Sequence, residues 1–307
     1  MDNFAPNEDK WERLGLIFKP DTRLEWSKSH AMIPTPFELD GKLLIYFSGR
    51  NLRNQSNIGC FEVQLDDNPR VIQSSSKPLL EPGDLGCFDD NGVSPSCLIE
   101  LPGGEIAMYY IGWNPGSTTR VNLFGGLAIS RDRGKSFLRW SKSPILERTR
   151  TDPYINTAPW VVKTQEGYRM YYVAGLQWID KNSPRYNIKL AYSSNGYDWD
   201  RPGRVILDFL TESETALARP FVIHDNGIWK MWVTRRIGEY AIAYAESIDG
   251  INWVRKDAQF GLKPNGTGEE RVMTEYSAVV KSNESYFMFY NGNDYGKNGI
   301  LLARYKN

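Results

Sequence analysis

Histidine and cysteine are scarce in this chain: of 307 residues, two are histidine and three are cysteine. The cysteines, Cys60, Cys87 and Cys97, are odd in number and lack a C-x-x-C spacing. That argues against a disulfide framework and a structural zinc site, and each is expected to be a mostly buried small hydrophobe. An excess of one charge is missing too. The 37 basic and 37 acidic residues cancel, so no general field draws in nucleic acid or an anionic membrane, and any charged site must be local. No apolar run approaches a membrane span, and MDNFAPNEDKWERLG at the start has no apolar core of a secretory signal. The expectation is a soluble, cytoplasmic chain with neither nucleic acid nor membrane as partner. Helical periodicity is nearly absent.

In place of helices there are short strands, punctuated by 17 prolines and 27 glycines. One unit recurs: Pro, two to four apolar residues, a polar turn, then an aromatic-rich strand. It reads PFELDGKLLIYFSG (36–49), PSCLIELPGGEIAMYYIG (95–112), PWVVKTQEGYRMYYVAG (159–175), PFVIHDNGIWKMWVT (220–234) and SAVVKSNESYFMFYNG (277–292). Each is two strands around a tight turn. A third strand follows, then a turn of Asp or Asn shortly before Gly: LAISRDRGKSFLRW (127–140), LAYSSNGYDW (190–199) and IAYAESIDGINW (242–253). A fourth strand leads to the next Pro.

With a spacing of about sixty residues, the pattern predicts an all-β chain. It is read as one five-bladed β-propeller over residues 1–307, with four antiparallel strands per blade. Two separate β-sandwiches fit the equal repeats poorly. The last repeat stops after its third strand, while WERLGLIF (11–18) resembles WDRPGRVI (199–206). The N-terminal strand is therefore expected to close the last blade.

In a propeller the first strand of each blade lines the central channel, and the loop leading into it sits at one mouth. Aligning Pro36, Pro95, Pro159, Pro220 and Ser277 gives the loops SHAMIPTP, FDDNGVSP, DPYINTAP, SETALARP and EERVMTEYS. They bring acids far apart in sequence to one face. Paired carboxylates suit glycosyl transfer, where one protonates the leaving oxygen and the other activates water or attacks. Asp90, Glu214 and Glu275 are the candidate catalytic acids. His30, Asp89, Trp113, Tyr154, Asn156, Arg219 and Arg235 are candidates for holding substrate, with Arg219 able to clamp a carboxylate or phosphate. Each has a plainer reading: turn formation for Asp89 and Asp90, a solvated loop for Glu214, an internal ion pair for Arg219. Asp132, Asn195 and Asp249 are read as turn formers.

Over nearly its whole length the pattern resembles the five-bladed glycosidase-like superfamily, glycoside hydrolase families 32, 43, 68 and 130. The segments GVSPSCLIELPGGEIAMYYIG and AESIDGINW carry the likeness. The resemblance implies carboxylates on inner strands and a saccharide or glycosyl-donor substrate. It calls for no cofactor or metal and leaves the oligomeric state open. The chain departs from that pattern. His30-Ala31-Met32-Ile33-Pro34-Thr35-Pro36 has no Asp where families 43 and 32 place theirs. Ala218-Arg219-Pro220 stands where family 43 would show Glu-Gly-Pro, leaving Glu214 as the acid. The Arg-Pro step is closer to family 130, whose phosphorylases use phosphate as acceptor. Two readings stay open: an enzyme of glycosyl chemistry (hydrolase, phosphorylase or transferase), or a non-catalytic carbohydrate-binding or scaffold propeller.

Overall fold

A computed structural model describes residues 10–305. After β1 (Trp11–Phe18), the strands group by hydrogen bonding into antiparallel units of four. The first holds β2 (Ser29–Leu39), β3 (Lys42–Arg50), β4 (Ser56–Gln64) and β5 (Arg70–Ser74). The second holds β6 (Gly92–Glu100), β7 (Ile106–Pro115), β8 (Val121–Ser130) and β9 (Leu138–Arg139). The third holds β10 (Asn156–Thr164), β11 (Gly167–Asp180), β12 (Ser183–Ser193) and β13 (Val205–Leu207). The fourth holds β14 (Ala216–Asp225), β15 (Ile228–Ile237), β16 (Glu239–Ser247) and β17 (Val254–Arg255). The last is β18 (Glu275–Ser282), β19 (Ser285–Asn291) and β20 (Ile300–Tyr305), completed by β1.

The pairing of β1 with β20 runs from Trp11 opposite Tyr305 to Phe18 opposite Ile300, as the sequence likeness led us to expect. Trp11 is buried, donates its indole N–H to the Phe260 carbonyl at 3.1 Å and meets Tyr305 edge-on at 5.3 Å. Gly15, at φ 84°, takes up the register shift that lets Leu16 and Phe18 stay in the ladder.

Single parallel bridges string the first four units together: Ser56 with Gly92, Phe124 with Asn156, and Tyr186 with Ala216. Among the described residues the last unit has no such bridge and forms its own four-stranded sheet. Side chains hold it instead, together with backbone bonds from the His30 amide to Lys297 O and from the Thr274 amide to Tyr240 O, both at 3.1 Å. Asn291 donates to the Ala31 carbonyl at 2.7 Å and accepts the Ile33 amide at 2.8 Å, while Thr234 Oγ1 accepts the Tyr276 amide at 2.8 Å. The first strands pack on one another in order, β2 on β6, then β10, β14 and β18, and β18 packs back on β2.

The Asp/Asn-Gly turns are part of this packing. The Tyr46 hydroxyl donates to Gly134 O at 3.5 Å, Tyr109 to Gly196 O at 2.7 Å, and Tyr171 to Gly250 O at 2.9 Å. Each tyrosine belongs to the second strand of one unit and each glycine to the turn of the next. Asp132, Asn195 and Asp249 shape those turns by accepting backbone amides two to four residues on.

Two sequence expectations need correction. The structural counterpart of Pro159 and Pro220 in the first unit is Pro34 and not Pro36, because the bulge in β2 falls between Met32 and Thr35, and in the second unit Ser96 takes that place, one residue after Pro95. Only Cys97 is fully buried, between β6 and β10, where its sulfur accepts the Val161 amide at 3.3 Å; Cys60 and Cys87 are half-buried.

Candidate functional site

The first strand of every unit carries a register break, in the second unit between Pro95 and Cys97, and in the other four units the break has a common form. There the ladder breaks between Met32 and Thr35, Thr157 and Trp160, Ala218 and Phe221, and Glu275 and Ala278. Inside each break one non-glycine residue sits in the left-handed region: Ile33 at φ 55°, Ala158 at 49°, Arg219 at 45° and Tyr276 at 53°. Such conformations cost of order 1–3 kcal/mol each and persist only where the surroundings impose them. All four residues line one pocket, so the bulges turn these side chains inward to the place where the first strands meet.

The pocket encloses about 380 Å³, within the usual range for a small-molecule site. Its wall is aromatic on several sides, with Trp113, Tyr186, Tyr276 and Tyr295. The Trp113 indole N–H donates to Ser56 Oγ at 2.8 Å, which fixes the ring. Three arginines line the pocket, Arg50, Arg120 and Arg219, and no aspartate or glutamate among the described residues does.

Arg219 is almost wholly buried. It donates to Pro34 O at 2.7 Å, to Thr35 Oγ1 at 3.0 Å and to the Ser277 carbonyl, and lies over the rings of Trp160 and Phe221. It thus joins three units at the base of the pocket. Its Nε has no partner among the described residues, and burial pulls its pKa down to about 9, which leaves it charged at neutral pH. The internal ion pair considered from sequence is not what holds Arg219 in place; backbone carbonyls and aromatic faces are.

Of the ten sequence candidates, Trp113 and Arg219 line the pocket. The loop acids do not, and the structure corrects their placement. Asp90 accepts the Gly86 amide at 2.9 Å and shapes its loop. Asp89 is buried, accepting the Tyr110 hydroxyl at 2.9 Å and pairing with Arg139 at 2.8 Å. Asp152 repeats this with Tyr172 at 2.9 Å and Lys189 at 2.6 Å, and Glu270 repeats it with Tyr290 at 2.9 Å and Arg13. The fourth unit has Val233 where the others have that tyrosine, and Glu214 pairs there with Arg255 at 3.2 Å. Asp257, 2.6 Å from the same guanidinium, takes up the rest of its charge. In the first unit Ser27 and Phe47 stand in place of acid and tyrosine. The loop acids therefore pin each entering loop to its own sheet, and Asp90, Glu214 and Glu275 do not converge on the pocket wall.

The other candidates also lie off that wall. Asn156 is buried and donates to Glu147 O at 3.0 Å and Asp152 O at 2.8 Å. Tyr154 is exposed on its loop. Arg235 is buried in β15 opposite Leu217. His30 shares a hydrogen bond with Ser29 Oγ at 2.8 Å; burial, and then the charges of Arg50 and Lys297, depress its pKa to about 4, so it is neutral at pH 7.

Glu275 is different. It begins β18, is completely buried, and neither carboxylate oxygen has a partner in hydrogen-bond geometry among the described residues. Burial pushes its pKa well above the usual carboxylate range, with the neighbouring Tyr276 side chain pulling weakly the other way. It is a buried acid next in sequence to the pocket residue Tyr276, and its surroundings disfavour the charged form. Arg50, Arg120, Tyr186 and Tyr295 were not singled out from sequence. The one available signal was the residue before the inner-strand prolines Pro34, Pro159 and Pro220 and before Ser277 in the last unit; it leads to Ile33, Ala158, Arg219 and Tyr276 but not to the arginines on the surrounding strands and loops.

No known protein-family profile matches the chain. Among solved structures, a glycosyl hydrolase from Bacteroides ovatus superposes with a TM-score of 0.73 at 13% identity, covering 98% of this chain and 96% of that one. A structure described in the words "The GH130 family of mannoside phosphorylases contains glycoside hydrolases that target beta-1,2 mannosidic linkages in Candida mannan" superposes at 0.71 and 13% identity, covering 99% and 95%. The chain therefore shares the fold of these glycoside hydrolase structures. In sequence, Uncharacterized protein Rv1502 of Mycobacterium tuberculosis is 35% identical over 299 residues, covering 97% of this chain and 99% of the relative. With that identity sustained from end to end, the chain belongs to the same family as the mycobacterial protein Rv1502.

Proposed function

We propose that the chain is a closed five-bladed propeller that binds a saccharide in its axial pocket, on an architecture otherwise used for glycoside hydrolysis. The cyclic packing of the five first strands supports the blade count. The pocket carries the functional reading: aromatic faces from Trp113, Tyr186, Tyr276 and Tyr295 stand among the polar side chains of Asn54, Ser56 and Thr157. Sugar C–H faces stack on such rings while the hydroxyls take hydrogen bonds. A two-carboxylate hydrolase needs its acids about 5–10 Å apart across the scissile bond, and no acid among the described residues reaches this wall.

A second reading, glycosyl chemistry with an external acceptor, is favoured by Glu275 alone. Burial pushes its pKa up, toward the protonated state that a general acid requires. It would act from its place next to Tyr276.

Screening the intact protein on an array of defined glycans separates these. Binding to a saccharide set, lost in Trp113→Ala, is the expected result. An array on which nothing binds above background, with the pocket intact by thermal melting, would refute saccharide recognition. Cleavage of a bound glycoside that disappears in Glu275→Gln would replace the binding reading with the catalytic one.

A further inference from the structure

The charge of the pocket is one-sided. Three guanidinium groups reach it and no carboxylate among the described residues does. The three are held in different ways, none of them by an acid. Arg219 is buried against carbonyls and aromatic rings, with Nε unsatisfied. Arg50 lies over Trp113 at 6.0 Å and donates to Asn54 Oδ1 at 2.9 Å, and its Nε is also buried without a partner among the described residues. Arg120 is exposed at the rim, on the β7–β8 loop; its backbone amide donates to Lys181 O at 2.9 Å and docks that loop on the next unit.

Four other cations in the protein are held by acids. Arg139, Lys189, Arg255 and Arg13 each pair with a buried acid. A buried cation without a counter-charge is costly, and like charges side by side add to the cost. The pKa of Arg50 is lowered by burial and, further, by the charge of Arg120. Glu275, the buried acid next to Tyr276 in sequence, does not line the pocket and bonds to none of these arginines among the described residues.

We propose that the pocket is built for an acidic saccharide, one bearing a carboxylate, phosphate or sulfate group that Arg50 and Arg120 receive while the sugar ring rests on Trp113. This rests on the saccharide reading above and narrows its substrate class. Arg50 and Arg120 are the specificity determinants, since they sit toward the rim and make few structural bonds. Arg219 supplies charge from the base but also holds three units together, so its removal would confound folding with binding.

The test compares acidic glycans with their neutral counterparts on the same array, and titrates the protein with inorganic phosphate and sulfate at fixed ionic strength, following Trp fluorescence and melting temperature. Acidic glycans should bind at least about tenfold more tightly than matched neutral ones, and Arg50→Gln and Arg120→Gln should each lower that affinity by about 10–100-fold, the worth of a charge-assisted hydrogen bond. Melting temperatures should stay close to wild type. Neutral glycans binding as tightly as acidic ones would overturn the proposal and leave saccharide binding standing. Saturable phosphate or sulfate binding with no glycan bound would overturn the saccharide reading and the proposal with it. Equal binding of acidic glycans by wild type and the Arg50→Gln, Arg120→Gln double variant would also overturn it.

Discussion

Replacing Glu275 with glutamine should change the pH dependence of stability in a way that identifies its protonation state. In the folded protein the carboxyl is sealed from water with no cation bonded to it among the described residues, and its pKa is raised well above the ordinary value. In the unfolded chain it titrates near about 4.3. Below that pH both states hold the proton and Glu275 contributes no pH dependence. Above it the unfolded chain releases the proton while the folded protein keeps it, so the wild type loses stability as pH rises. The loss is about 1.4 kcal/mol per pH unit, and it continues until the folded carboxyl itself titrates. Glutamine removes this dependence and adds a constant cost of about 1–3 kcal/mol for a buried amide without partners. Urea unfolding at pH 5, 6 and 7 should therefore show the variant gaining on the wild type by about 1.4 kcal/mol per unit. All other titrating groups cancel in the difference. Parallel stability curves for the two proteins over this range would refute the reasoning, because they would mean that Glu275 is ionised in the folded state.

Two further outcomes follow from the packing. Trp11→Ala should destabilise by about 3–5 kcal/mol in equilibrium unfolding, since it empties a buried site and removes the bond to Phe260 that anchors β1. Glu214→Ala should cost about 2 kcal/mol or more of stability by leaving the Arg255 guanidinium with Asp257 alone, yet leave saccharide affinity close to wild type; a binding defect without a stability defect would return Glu214 to the site.

The repeat was legible because each unit repeats its turn chemistry. Gly134, Gly196 and Gly250 sit at matching positions since a tyrosine hydroxyl from the preceding unit needs their carbonyls and leaves little room for a Cβ, which would lie 2.7, 3.1 and 2.9 Å from that oxygen. WERLGLIF was recognisable because an edge-closing strand must match the fourth strands elsewhere. The site was less legible. Loop acids at matching positions resemble convergent catalytic residues, but what decides their role is the partner supplied by a distant strand: Arg139 for Asp89, Lys189 for Asp152, Arg255 for Glu214. The covariation was present in the repeats themselves. Tyrosine follows the acid in units two, three and five, and Phe47 accompanies its absence in unit one. Glu275 was rightly marked as a costly charge on an inner strand, but sequence could not say that its carboxyl is sealed without a hydrogen-bond partner among the described residues and that burial pushes its pKa up. The pocket arginines come from the end of β3 and the β7–β8 loop, outside the entering loops that the repeat brings into register.

The strand pairing that completes the last unit also sets a schedule for synthesis. Glu12 and Arg304, bonded at 2.7 Å in the finished sheet, are 292 positions apart. At about 5–20 residues per second, β1 emerges from the ribosome roughly 15–60 s before the strand it must pair with. Throughout that interval its apolar residues, Trp11, Leu16 and Phe18 among them, belong to a strand with a bare edge, the situation that favours pairing with a neighbouring chain. Glu12 and Arg13, charged and side by side in that strand, keep it from being a uniformly apolar template while it waits.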